Sequence, residues 1–232
     1  MVSYLKKEIK SKFALIIDFD STIISLESLE CIAELSLLNN KNKNNLIKKI
    51  NDLTNLAMNG DISFPASLDQ RLALMNISHN HIIDTVDYLK NKIDSSFKNN
   101  LDFFKEFIDD IYIISGGFQS IIHPLMQSLL NIDWQIYANE FVMDINNNVI
   151  GVNKSNFLAL SKGKVKTVNS LSIDKEIIVV GDGYTDYEIK KSGLAKYFLA
   201  YTRYVTHKNV INKSDFNCNS FDDVINFIKR KY

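Results

Sequence analysis

Cysteine is nearly missing from this chain. Cys31 and Cys218 are the two in 232 residues, too few for a disulfide framework, so a reducing cytoplasmic setting is expected. Long apolar runs are missing too. No stretch approaches the roughly 20 residues of a bilayer span, and no membrane partner is expected. Neither sign of charge is in excess, since 27 Lys and Arg balance 27 Asp and Glu. Bulk electrostatics therefore favour neither nucleic acid nor an anionic surface. The opening MVSYLKKEIKSK is basic, but the short apolar segment after it ends in aspartates, so it does not read as a signal peptide. There is no GxxxxGK[ST] loop, which excludes nucleotide binding of that type. No His and Cys cluster offers zinc-ligand spacing. Glycine is scarce at eight residues, and five of them (Gly116, Gly117, Gly163, Gly181, Gly183) lie in three short stretches that also carry polar residues suited to catalysis. In so glycine-poor a chain, those stretches are where backbone turns tightly or meets a ligand closely.

What is present fits one well-buried domain with a smaller insertion: 46% of residues are hydrophobic and 23% charged. Short continuous apolar runs recur at 13–18, 111–115, 134–139, 176–182 and 197–201. Helical periodicity fills 118–130 and 162–171 between them. Alternating buried strands and helices predict an α/β fold with a parallel sheet covered on both faces. A hairpin is expected over 141–152, turning at Asn146 to Asn148. The alternation breaks between about 26 and 92, where only helical patterns occur (26–38, 43–58, 65–75 and 79–92). The predicted organisation is a core of 1–25 and 93–232 with a helical cap of 26–92 inserted after the first strand.

The first strand, FALIIDFDST, ends in Asp18 and Asp20 with Ser21 and Thr22 behind them. Asp is a good turn former, so one aspartate at a strand end needs no explanation. Two at i and i+2 point to one side of an extended chain, and like charges that close raise each other's pKa. A cation relieves that cost. Chemistry that wants one carboxylate charged and one protonated uses it.

Other strand ends carry matching residues. Ser115, Gly116 and Gly117 end the second. Asp182 and Asp186 follow a later one, with Lys162 opening the helix before it. In an open parallel sheet these carboxyl ends form the ligand rim. Hard carboxylate oxygens from Asp18, Asp182 and Asp186 suit Mg²⁺. Ser115, the two glycine amides, the following helix N-terminus and Lys162 can cradle a phosphate. A nucleophile, a neighbouring acid, a metal and a cradle make a phosphoryl-transfer site.

DFDST, SGG, SKGK and GDGYTD, in that order, resemble the motifs of the haloacid dehalogenase superfamily, closest to its phosphoserine phosphatases, over nearly the whole chain. The resemblance implies a Rossmann-like core, Mg²⁺ as cofactor, a small phosphorylated metabolite as partner, a monomer or homodimer, and a place in L-serine biosynthesis. It implies Asp18 as nucleophile and Asp20 as general acid, then base, with its main-chain carbonyl on the metal. Asp182 would be a direct ligand and Asp186 would support the metal's outer shell. Ser115 and Lys162 would hold phosphate. Within ISFPASLDQRLAL, Arg71 would take the substrate carboxylate and Phe64 shield the site, while Glu27 would face the ammonium. Thr185 stands where many relatives have Asn, and it can still donate a hydrogen bond to substrate.

Other residues read blandly. Glu30 and Glu34, and Lys164 and Lys166, are expected to be solvated. His79, His81, His123 and His207 read as surface or helix-end residues, Tyr184 and Tyr187 as packing for the helix after GDG. Phe103, Phe104, Phe107 and Trp134 read as core, and Cys31 as a buried thiol. Three function classes follow. The first is a phosphoserine phosphatase. The second has the same chemistry on another small phosphomonoester, such as phosphoethanolamine or homoserine phosphate, or transfers to an acceptor. The third is a binding protein on an inactive fold, disfavoured because such a protein has no need of Asp20. A dehalogenase is disfavoured by the second aspartate and the metal ligands.

Overall fold

The computed structural model describes residues 12–232; the opening 11 residues, most of the segment read above as no signal peptide, lie outside the described part. β1 (Phe13–Ile17) is followed by α1 (Ser28–Ser36), α2 (Lys43–Asn59), α3 (Phe64–Leu72) and α4 (His79–Leu89). Then come α5 (Ser95–Asn99), α6 (Leu101–Glu106), β2 (Ile111–Phe118), α7 (Gln119–Leu129) and β3 (Gln135–Asn139). A hairpin of β4 (Phe141–Met143) and β5 (Val149–Val152) leads to α8 (Gly163–Ser170), β6 (Glu176–Gly181) and α9 (Tyr184–Lys191). β7 (Tyr197–Tyr201), α10 (Lys208–Ile211), β8 (Phe216–Cys218) and α11 (Phe221–Lys231) complete it.

Six strands pair in parallel in the order β3-β2-β1-β6-β7-β8. All five residues of β1 are fully buried, and alternate ones feed opposite faces of the sheet. Phe13, Leu15 and Ile17 join one apolar cluster; Ala14 and Ile16 join the other. This is why the strand reads as a continuous apolar run: both faces are covered. β1 lies at the point where strand order reverses, between β2 and β6, so its carboxyl end opens onto the crevice where such sheets bind ligands.

The chain leaves for the helical insertion and returns through two adjacent segments. Ile24 bridges Ile93, Ser25 N donates to the Lys92 carbonyl at 2.9 Å, and Asp94 N donates to the Ile23 carbonyl at 2.8 Å. Inside the insertion Ala33, Leu37 and Ile50 form a small core of their own. Ile82, Val86 and Leu89 of α4 belong instead to the main core. α3 is started by Ser63, which accepts from Ala66 N, and by Pro65 in its first turn. α2 stops at Gly60, whose φ of 82° no β-branched residue adopts comfortably.

Candidate active site

The sharp turn after β1 builds the site's centre. Ser21 is left-handed, with φ 51°, a conformation that costs a non-glycine residue energy and needs outside support. The support is local: Ser21 N donates to the Leu26 carbonyl at 3.1 Å, and Ser21 Oγ donates to Glu27 Oε1 at 2.7 Å. The reversal brings α1's first residue onto Asp20. Ser28 N donates to Asp20 Oδ1 at 2.9 Å, and Ser28 Oγ donates to Oδ2 at 3.0 Å. Asp18 Oδ1 accepts from Phe19 N at 2.7 Å.

Asp18's other oxygen meets a lysine, and it is not Lys162, the one read above as holding phosphate. Lys164 Nζ lies 2.8 Å from Asp18 Oδ2 and 2.7 Å from Asp186 Oδ1, and its side chain is 6% exposed. The solvated reading of Lys164 is therefore corrected. Lys162 is the exposed N-cap of α8, at φ 56°, and stands at the cavity rim. Helix phase decides between them: Lys164, Thr167 and Val168 share α8's buried face, and Lys162 precedes the helix. Asp186 also accepts from Gly183 N at 3.2 Å. A β-carbon at Gly181 would overlap the Asp186 carboxyl, so β6 must end in glycine for this packing.

β2 supplies the opposite wall. Ser115 is fully buried, and its Oγ accepts from Gly117 N at 2.9 Å. Phe64, at the start of α3, covers Gly116 so closely that a β-carbon there would stand 2.7 Å from the ring. Asn139 Nδ2 holds the Gly116 carbonyl at 2.8 Å.

A cavity of about 300 Å³ joins these parts. Asp18, Asp20, Ser115, Gly116, Gly117, Lys162, Lys164 and Thr185 line it, together with Glu27, Phe64 and Arg71. Arg71 is only 4% exposed; its Nη1 donates to Thr54 Oγ1 at 3.1 Å, and its buried Nε has no partner. Asp182 and Asp186 stand behind the cavity with Asp18, their nearest oxygens within 4.8 Å of one another. Asp182 Oδ1 is buried without a partner, and its Oδ2 lies 3.7 Å from His207 Nε2. A buried carboxylate with an orphaned oxygen, grouped with two more carboxylates, fits a hard divalent cation.

The electrostatics agree. Burial and then Asp18 push the Asp20 carboxyl up to about 7. Burial and then Asp20 push Glu27 up to about 8. Burial and then Asp18 lift Asp186 to about 7, and burial with Glu27 and Asp18 raises Asp182. Burial would depress the Lys164 ammonium, but Asp18 and Asp186 outweigh it and hold it above the usual lysine range. Five carboxyls thus share this interior with two buried cations, Lys164 and Arg71. The surplus must be met by protons or by a metal.

Two further bland readings are corrected. Glu30 is half-buried, bonded to Thr54 and felt by Arg71, and burial raises its pKa. His207 does sit at a helix end, as the N-cap of α10, but it is buried against Asp182. Ser28, Lys164 and Thr54 contact the expected site residues Asp20, Asp18 and Arg71 and were not among the site residues singled out from the sequence. Only Lys164 had a signal, its helical phase with Thr167 and Val168.

No protein-family model matches the chain. It is 27% identical over 221 residues to the chloroplastic phosphoserine phosphatase of Arabidopsis thaliana, covering 94% of this chain and 72% of that one. It is 28% identical over 193 residues to the phosphoserine phosphatase of Homo sapiens, covering 81% and 82%. Among solved structures, a phosphoserine phosphohydrolase-like protein from Francisella tularensis superposes with a TM-score of 0.83 at 34% identity, over 93% of this chain and 99% of that one. Among the described residues no helix is long and apolar enough to cross a membrane.

Proposed function

The chain belongs to the haloacid dehalogenase superfamily as a phosphoric monoester hydrolase resembling phosphoserine phosphatase, and from that membership we propose that it hydrolyses O-phosphoserine with Mg²⁺ through an aspartyl-phosphate. The observation that carries the substrate assignment is Arg71. Its side chain is buried and lines the cavity; its Nη1 donates to Thr54 and its buried Nε has no partner. A buried donor of this kind is costly to leave unmet. A substrate carboxylate meets it and pairs with the charge. Glu27, lining the same cavity, accepts from the substrate ammonium. A molecule with a phosphate at one end and an amino acid at the other satisfies Arg71, Glu27 and the phosphate cradle together.

The chain's own residues divide the reaction as follows. Asp18 attacks phosphorus with a carboxylate oxygen; the ester P–O bond breaks, and the leaving serine oxygen takes a proton from Asp20. Asp20 then removes a proton from water, whose oxygen attacks phosphorus and displaces Asp18, releasing inorganic phosphate. A group titrating near 7 can give and retake a proton at neutral pH. Lys164 fixes the second oxygen of Asp18, and Ser28 fixes Asp20. Ser115, the amides of Gly116 and Gly117, and Lys162 at the rim hold the phosphate, with Thr185 beside it. Asp18, Asp182 and the main-chain carbonyl of Asp20 would hold Mg²⁺, supported by Asp186; the ion supplies charge neutralisation for phosphoryl transfer. Residues 26–92 serve as the cap, closing over the phosphate through Phe64.

The test is phosphate release with Mg²⁺ from phosphoserine, phosphoethanolamine, homoserine phosphate and an aryl phosphate. Phosphoserine should have the highest kcat/KM. Equal kcat/KM across the four would leave a phosphatase without this substrate.

A further inference from the structure

We propose that Thr54 is a positioning residue that aims Arg71 and thereby sets the preference for substrates carrying a carboxylate. This rests on the reading of Arg71 as the carboxylate's partner. Thr54 lies inside α2 and is 4% exposed. Its hydroxyl has one proton, which goes back to the Ile50 carbonyl at 3.2 Å or across to Glu30. Toward Arg71, therefore, it can only accept, and Nη1 donates to it at 3.1 Å. Among the described residues this is the hydrogen bond that the guanidinium makes, and with Nε free the group is held at one corner. Arg71 itself lines the cavity.

The two helices are registered independently of that contact. One turn earlier on α3, Ser67 Oγ donates to the Leu53 carbonyl at 2.9 Å. Ser67 and Arg71 are four residues apart and so share a helix face. The packing of α3 on α2 thus survives loss of the Thr54 hydroxyl, and what changes is the aim of one guanidinium. Threonine in a helix interior is a weak choice by propensity, which suits a residue kept for its oxygen.

The experiment compares wild type, Thr54→Val, Thr54→Ser and Arg71→Ala on phosphoserine and phosphoethanolamine, which keeps the amine and lacks the carboxylate. Hydrogen bonds to charged groups are worth enough that Thr54→Val should raise the phosphoserine KM roughly ten- to a hundredfold. Its kcat, and its KM for phosphoethanolamine, should stay within about twofold, and Thr54→Ser should restore wild-type values. Thr54→Val lowering both substrates alike indicates a merely structural residue and overturns the proposal. So does an unchanged phosphoserine KM in Thr54→Val alongside a raised one in Arg71→Ala, a result that leaves the Arg71 reading standing. If Arg71→Ala keeps the wild-type preference for phosphoserine over phosphoethanolamine, the Arg71 reading itself falls and takes this proposal with it.

Discussion

Replacing Lys164 with Met tests the site's electrostatics most directly. The substitution keeps length and apolar bulk and removes the charge between Asp18 and Asp186. The ammonium is almost fully buried, so solvent screening does not discount the pair. Removing one partner of a buried ion pair costs roughly 3–5 kcal/mol, because the other charge is left behind. For a chain of this size, each kcal/mol moves Tm by about 2–4 °C, so the metal-free variant should melt on the order of 10 °C below wild type at pH 8. The lysine side of the pair keeps its charge at any pH below its raised pKa, so the acid limit comes from the carboxyls. Asp186 titrates near 7, and the penalty should therefore shrink as pH falls from 8 to 5. Turnover should be lost as well, since Oδ2 of Asp18 is no longer held. Lys162→Met is the contrast. Its side chain is exposed, so stability should change by no more than about 0.5 kcal/mol, and the effect should fall on KM if the rim lysine holds phosphate. Differential scanning fluorimetry and phosphate release read both. A Lys164→Met protein that melts within about 2 °C of wild type at pH 8 refutes the reasoning.

Two further outcomes are expected. Asp20→Asn keeps the nucleophile and removes the proton donor, so phosphoserine turnover should fall roughly 10²–10⁴-fold while an aryl phosphate, with its good leaving group, loses much less; equal losses on both count against Asp20 as the acid. Metal-free protein should lose stability as pH rises. Asp20, Asp186 and Glu27 hold protons up to about 7 to 8 in the folded chain, but release them near pH 4 when unfolded. Between those values the native state binds more protons, so the slope of unfolding free energy with pH is negative. Tm in EDTA should fall from pH 5 to pH 8, and Mg²⁺ should restore it at pH 8 and change it little at pH 5. A Tm that rises with pH in EDTA contradicts the raised carboxyls.

How far the sequence could be read depends on whether a property is local. β1, β2, β6 and β7 were legible because strands buried on both faces are continuous apolar runs. β8, three residues long with Asn217 at its middle, carries no such signature and exists only because β7 offers an open edge. The rim of Asp18, Asp20, Ser115, Gly116, Gly117 and Asp182 was legible because each lies in or just after the carboxyl end of a strand, and parallel topology brings strand ends together. The choice between Lys162 and Lys164 depended on where α8 begins: at Gly163, one residue later than the periodicity suggests, so that Lys162 is its exposed N-cap and Lys164 lies on its buried face. Glu30 and Thr54 lie further from any local signal. Each is an unremarkable residue on its own helix, and each acquires meaning only when α3 swings Arg71 between α1 and α2. Motifs on the sheet rim mark the chemistry, because a phosphate and its nucleophile demand particular atoms at particular strand ends. Selectivity is written in contacts between helices of the insertion, where one hydroxyl can set the direction of a guanidinium, and such contacts have no spacing in the sequence by which to find them.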